Sequence, residues 1–535
     1  MVGARAIFVA IGAIGLVVML SSTGGCGSTD KNGFGTGASG QNGGTGDDSG
    51  TGGASGGGGG GGMTFGNPVG DAAAPCTGGG LGCYVPANCT TSISGTVYDP
   101  AGANPLYNVV VFVPNDPNGA LTPIKQGTNT CSSCDVSIGD YVTATTSLAD
   151  GTFTLTGVPA TTHVPLVVQI GKWRREVFLP SVTACTDNVL KGSASTRLPA
   201  KRSEGDIPQM AIVTGGADNL GCFLKGVGLD PSEYGAPGKG GRLDVYQGLP
   251  ANQSLLGGLL QVSGSPGLTG GGAGDCTTDN TACVWNSKAN LEKYDIVLLA
   301  CEGDTFDLDD SDYQQEATMG QNGQMTALPT NKSAAAKQSV HDWLDEGGKV
   351  FATHFQYTWF KNSPAADFKG VANWLGSSNG ADTGLYDIDT SFPKGKTFSQ
   401  WLGTVGALSG TQINLDGVAE SVSTVNATAQ RWIYNPGKDA QSKGTNNTKY
   451  LSVVTPVGGI PIKTADAGET TTQYCGKAVF SDLHAGGNPE GDIPGSCKTA
   501  ALTPQLKALE FLFFDLSACV STDSLPPPAP PQPTK

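Results

Sequence analysis

Trp343-Leu344-Asp345-Glu346-Gly347-Gly348-Lys349-Val350-Phe351-Ala352-Thr353-His354-Phe355 joins the end of a helix to a strand. Ala334 to Leu344 has helical spacing, with Val340, Trp343 and Leu344 on one side. Gly347-Gly348 is a C-cap signal, and the next strand runs from Lys349 to Thr353. Upstream, Ile296-Val297-Leu298-Leu299 is wholly apolar, as expected of a strand covered on both faces. Gln209 to Val213 is similar and leads through Thr214-Gly215-Gly216-Ala217-Asp218 into a helix-like Leu220 to Val227. Arg242 to Tyr246 and Lys477 to Ser481 read as further strands, and Leu502 to Leu516 as a closing helix. Strands alternating with helices predict an α/β domain over residues 203–520, a parallel sheet with helices on both faces.

In such sheets ligands gather at the carboxyl ends of the strands. Those ends carry Asp218, Cys301-Glu302, Thr353-His354 and Ser481-Asp482-Leu483-His484. The chain has only four histidines, and two of them fall here. His354, His484 and Asp482 are therefore the candidate catalytic residues, and Asp218, Glu302 and Thr353 the candidate ligand contacts. The competing reading is that both histidines are packing residues. Imidazole and carboxylate together suit zinc or iron, so His354, His484, Asp482 and Asp218 also form a candidate metal set. Neither histidine lies in a short ligand motif, and no resident cofactor is predicted. Asp304, Asp307, Asp309, Asp310, Asp312 and Glu316 have the charge of a calcium loop but not the spacing of an EF-hand. A solvated acidic loop is expected there.

The blocks Y-D-I-V-L-L, W-L-D-E-G-G-K-V-F-A-T-H-F and G-K-A-V-F-S-D-L-H resemble the class I glutamine-amidotransferase-like superfold. Within it the likeness is to the ThuA-like sugar-metabolism proteins. The resemblance implies a flavodoxin-like sheet and a nucleophile just after the strand that follows the helix. This sequence has Thr353-His354 there, so the Cys–His–Glu triad of amidotransferases is missing. Cys301 lies one strand earlier. A tryptophan synthase alpha chain is disfavoured, because there is no eightfold βα repeat.

Residues 91–200 follow another pattern. Ser92 to Asp99 alternates, Val109 to Val113 is β-branched, Asp150-Gly151 is a turn, and Val164 to Ile170 is an apolar run. Short strands between turn signals predict an all-β sandwich. The order I-x-G-x-V-x-D-x-x-G, then D-G-x-F-x-L-x-x-V-P, resembles the carboxypeptidase regulatory-like (transthyretin-like) domain. That family's fold is often called carbohydrate-binding-like, and the resemblance implies mainly a structural spacer. Trp173 and Tyr98 either stack on sugar rings or, more in keeping with strand aromatics, pack within the sheet.

The segments around these domains describe export. Ala6 to Leu20 is apolar behind Arg5, and too short to span a bilayer, so residues 1–25 read as a signal peptide. Thr23-Gly24-Gly25-Cys26 resembles a lipobox, which implies lipidation at Cys26. Gly27 after it implies the outer membrane or cell surface of a Gram-negative bacterium. Residues 26–62 are a glycine-rich flexible tether, 63–90 a cysteine-containing lead-in, and 521–535 a proline-rich tail expected to fray. Export makes disulfides the expected state of the cysteines. The expected pairs are Cys222 with Cys301, Cys131 with Cys134, and Cys276 with Cys283, while Cys76, Cys83, Cys89 and Cys185 staple the sandwich edge.

The 535 residues include 81 glycines, and 46 acidic against 31 basic residues give a net charge of −15. Such a surface repels phosphate backbones and excludes nucleic acid as the leading partner. The expected function is that of a surface lipoprotein, a sandwich spacer presenting an α/β head that binds a glycan or another surface protein. The alternative is an active ThuA-like enzyme acting on a sugar or its derivative.

Overall fold

The computed structural model describes residues 79–530 apart from 128–129, 133–137, 216–217, 247, 249–283, 312, 314–316, 320–324, 328–331, 377–381, 436–446, 464–469, 487–496 and 498–500. The signal segment, Cys26, the tether, Cys76, Cys134, Cys276, Cys283, Asp312 and Glu316 lie outside these residues.

The first unit is built from strands alone: β1 (Ser92–Thr96), β2 (Val110–Pro114), β3 (Tyr141–Thr146), β4 (Thr152–Thr156), β5 (Thr162–Ile170), β6 (Trp173–Ser181) and β7 (Asp187–Val189). They form a sheet ordered β4-β1-β7 and another ordered β3-β2-β5-β6. Strand β4 shows the period-2 logic, burying Phe153 and Leu155 while Thr154 and Thr156 face solvent. Ile93 and Leu155 from one sheet and Val111, Val113, Val164, Leu166 and Val168 from the other share one core. The Cys89–Cys185 disulfide staples this unit. Trp173 is 1% exposed and meets Phe513 and Phe514 edge-on, so its ring packs and offers no face to a sugar.

The second unit contains β8 (Met210–Val213), α1 (Leu220–Gly226), β9 (Leu243–Tyr246), β10 (Ile296–Leu299), α2 (Ala334–Asp345), β11 (Lys349–Thr353), β12 (Asp382–Ile388), α3 (Pro393–Thr404), β13 (Gln412–Val418), β14 (Ala429–Asn435), β15 (Asn447–Thr455), β16 (Gly476–Ser481) and α4 (Pro504–Ser517). Its sheet runs β9-β8-β10-β11-β16-β15-β14-β12-β13. Neighbours from β9 to β16 are parallel. From β16 onward they are antiparallel. The expectation of a parallel sheet therefore holds for one half and is corrected for the other, where residues 382–455 add an antiparallel extension.

Alternate residues of the parallel strands divide between two cores. Ile212, Leu298, Phe351 and Val479 pack on one face with α1 and α4. Val213, Leu299, Ala352 and Phe480 pack on the other with Val340, Trp343 and Leu344 of α2. Helices on both faces are thus present, and burial on both sides explains the unbroken apolar runs.

From Ala508 to Ser517 helix α4 is buried around its whole circumference, Glu510 and Asp515 included, because it is covered twice. The sheet lies on one side and the sandwich on the other. Tyr107 stacks on Phe511 at 5.9 Å, and Phe223 meets Phe513 edge-on. Trp401 donates its indole N–H to the Pro105 carbonyl at 2.7 Å. Gly171, in the β5–β6 turn at φ +53°, lies so close to the Ser517 carbonyl that a Cβ would sit 1.9 Å from its oxygen. The Cys131–Cys475 disulfide joins the same two units covalently. The sandwich is therefore no detached bead, since its core is continuous with that of the α/β unit. Pro527 to Pro530 of the tail line the grooves at this junction.

Asp99 of the sandwich and Glu510 of α4 are both fully buried and adjacent. Asp99 accepts from the Ala103 N–H at 2.7 Å, and Glu510 accepts from Asn104 Nδ2 at 2.7 Å. Burial raises Asp99 to about 6, against backbone donors that lower it. Burial, then the Asp99 charge, raises Glu510 well above the carboxylate range, with Lys507 opposing. The folded pair thus keeps a proton that the unfolded chain gives up near pH 4. Its stabilisation is full below that pH and is lost as pH rises through the folded values. The thermal midpoint should therefore slope downward as pH rises from about 4 through about 6 and beyond, and Glu510→Gln should flatten that slope. A midpoint insensitive to Glu510→Gln across the range would show that the pair holds no shared proton.

Candidate functional site

The site is assembled at the carboxyl ends of β8, β10, β11 and β16. Because β11 and β16 are parallel neighbours with Thr353 opposite Ser481, the residues that follow them emerge side by side. His354 and His484 accordingly stand with ring centroids 5.1 Å apart and planes at 76°. Both are buried, at 4% and 6% exposure.

His354 has φ +40° and opens a single 3-10 turn that continues into a short helix. This left-handed backbone is costly for a residue with a Cβ. A strained strand-to-helix turn is the geometry that presents a nucleophile in elbow enzymes; here it presents an imidazole. Burial, then the neighbouring His484 and Lys449, holds His354 well below the ordinary imidazole value. Its ring is therefore neutral at pH 7. Thr353, just before it, accepts from the Cys301 N–H at 2.9 Å and so ties β11 to β10.

Cys301 lies against the first histidine, with Sγ 3.5 Å from His354 Nδ1. It is disulfide-bonded, but not to Cys222, which pairs with Cys497. This corrects the expected Cys222–Cys301 bridge. The reason is facial: α1, with Leu220, Phe223 and Leu224, covers one side of the sheet, while Cys301 packs into the core on the other. Cys131 likewise pairs with Cys475 and not with Cys134.

Asp218 arrives from the loop after β8. One carboxylate oxygen accepts from the Ala485 N–H, just past His484. The other, Oδ2, lies 3.7 Å from His484 Nδ1, and neither of these atoms has a hydrogen-bond partner. Asp482 points elsewhere. It accepts from the Ser421 N–H at 2.8 Å, and burial raises its pKa against Lys449 and the Ser421 donors. Glu302 accepts from Lys332 Nζ at 2.5 Å and Gln356 Nε2 at 3.1 Å, all buried. The strand ends thus bring His354, His484, Asp218 and Cys301 together, and engage Glu302 and Asp482 in separate contacts.

The acidic run is not the solvated loop expected from sequence. Asp307 and Asp310 are buried. Lys337 Nζ donates to both Asp307 oxygens at 3.0 and 2.9 Å, and Lys361 to Asp310 at 3.0 Å. Lysines already neutralise the charge of Asp307 and Asp310, which takes these two carboxylates out of a calcium set. The sequence reading missed these partners because the lysines come from α2 and the short helix after β11, 30 or more residues away.

Among the described residues, two open cavities lie at the junction of the two units. A groove of about 570 Å³ at the junction of the two units is lined by Tyr107, Asn108, Thr146, Asp150, Gln400 and Thr404. It shares Asn108 and Thr146 with a neighbouring cavity of about 380 Å³ that reaches Val110, Ile170 and Lys172.

No family model matches the chain, and no curated protein matches it. Among solved structures, one from Bacteroides uniformis described as ThuA-like aligns with 57% of this chain and 88% of its own, at 12% identity and a TM-score of 0.27.

Proposed function

We propose that the chain is an exported lipoprotein, anchored through Cys26, whose fused sandwich and α/β body binds carbohydrate at the junction groove and has no amidotransferase activity. The observation that carries this reading is the location of the open groove: it lies between the units, whereas His354, His484 and Asp482 are buried. Asn108, Thr146, Gln400 and Thr404 offer neutral donors and acceptors, and Tyr107 a ring, a set suited to hydroxyl-rich ligands. The strand order of the parallel half, 2-1-3-4-5 in chain order, supports a flavodoxin-like α/β unit. A ThuA-like enzyme using His354, His484 and Asp482 is the second reading. The strained turn at His354 favours it, and the burial of all three residues stands against it.

The test has two arms. Cys26→Ser should move the protein from the membrane fraction to the soluble one and abolish uptake of labelled fatty acid. Membrane-bound Cys26→Ser protein would end the anchor reading. The exported chain should retain neutral glycans on an array, and Gln400→Arg, which fills the groove, should abolish retention. Retention unaffected by Gln400→Arg would move the binding site away from the junction.

A further inference from the structure

Cys301, His354 and His484 each present one donor atom, and the three donors lie within 4.8 Å of one another in a buried setting. The S···N separation from Cys301 Sγ to His354 Nδ1 is 3.5 Å. In a tetrahedral zinc site, bonds of about 2.3 Å to sulfur and about 2.05 Å to nitrogen put those ligands about 3.6 Å apart. The pair is thus already spaced as one edge of such a tetrahedron. A second, independent feature points the same way. His484 Nδ1 and Asp218 Oδ2 are buried, face each other at 3.7 Å and have no hydrogen-bond partner. A carboxylate behind one ring nitrogen is the usual outer support of a metal-bound imidazole, since it fixes the tautomer and turns the other nitrogen to the ion.

One fact holds the site closed: Cys301 is bridged, and only a thiolate is a strong metal ligand. We propose that these strand ends form a thiol-gated site for a divalent transition cation of the zinc type, with Cys301, His354 and His484 as ligands and Asp218 as the positioning residue. A dithiol reductant opens the gate. The Cys301 S–S bond breaks, two S–H bonds form, and the reductant gives up two electrons and two protons as it closes to its own disulfide. The incoming cation then displaces the Cys301 proton to solvent. Glu302 and Asp482 are not ligands, because Lys332 and Gln356 hold the first and the Ser421 N–H the second. The ligand set has three members, so a fourth position is left for a small molecule or ion.

Cobalt(II) is the probe, because a cobalt–thiolate bond gives a sulfur charge-transfer band in the near ultraviolet. The full exported chain is titrated with cobalt before and after reduction by a phosphine, which takes its oxygen from water as it becomes the phosphine oxide. The oxidised chain should show no thiolate band, and the reduced chain should take up about one cobalt ion with that band present. Reduction also opens the other disulfides, so the histidines supply the control. His354→Ala and His484→Ala keep every thiol, yet each should lose the band. Asp218→Asn should keep it but bind cobalt about 10–100-fold more weakly. Circular dichroism before and after reduction separates loss of the site from loss of the fold. A reduced, folded wild-type chain that takes up no cobalt overturns the proposal. So does an unchanged band in both histidine variants, which would place the metal on other cysteines.

Discussion

Lys477→Met is expected to cost about 3–5 kcal/mol of stability, the usual penalty for leaving a buried charge without its partner. Lys477 Nζ donates to Asp515 at 2.5 Å and to Asp523 at 2.6 Å, and Lys394 Nζ reaches the same two carboxylates at 3.0 and 2.9 Å. All four side chains are buried. Two ammonium groups balance two carboxylates, and Ser452 adds a hydroxyl donor to Asp523 at 2.6 Å. Burial alone would raise Asp523, but Lys394 and Lys477 outweigh it and hold its carboxyl below the ordinary value. Removing one lysine leaves a net negative charge in a place that water does not reach. Burial in place of solvent sets the scale of this effect, because an exposed pair is worth only about 0–1 kcal/mol. Urea unfolding of wild type and variant measures the difference. A loss below about 1 kcal/mol would mean that the cluster is hydrated. Adding Asp515→Asn to Lys477→Met restores neutrality and should recover part of the loss.

The same lysine shows where sequence reading stops. Lys349 and Lys477 both open strands, and nothing in the neighbouring sequence marks either side chain as buried. The structure buries them, Lys349 against the Ser517 and Ala518 carbonyls and Lys477 against two aspartates from and beyond α4. Those partners lie 38–169 residues away, so no local pattern announces them. What could be read was local and periodic. The apolar runs at 296–299 and 349–353 announce strands covered twice, and Ser333 caps α2 by accepting from the Ala336 N–H. The meeting of His354 with His484 could also be read, because both follow parallel strands and neighbouring ends converge. The antiparallel half could not. Strand β12 exposes Leu385 and pairs with β13 and β14 across intervening helix and turn, a register set by tertiary contact. The cysteine pairing failed for a related reason: the position of a strand end along the chain does not tell which face of the sheet its side chain joins.

Trp173→Ala is the second large effect, expected at about 3–5 kcal/mol, the range for truncating a buried Trp. The indole fills the seam between the sandwich and α4, edge-on to Phe513 and Phe514. Beside it, Gly171 touches the last turn of α4 and leaves no slack for the seam to close. A cavity there opens in a core that runs through both units. If that core is one cooperative body, calorimetry should give a single transition for the wild-type chain, and Trp173→Ala should lower it as a whole. The helix makes this the physical expectation, since α4 has no solvent face and neither unit is covered without it. Two wild-type transitions, with only the lower one moved by Trp173→Ala, would mean that the sandwich folds by itself and serves as the separable spacer that its sequence resembles. The substitution also bears on the glycan reading. A ring sealed in the seam contributes nothing to a sugar, so folded Trp173→Ala protein should bind glycan as wild type does, whereas Gln400→Arg in the groove should not.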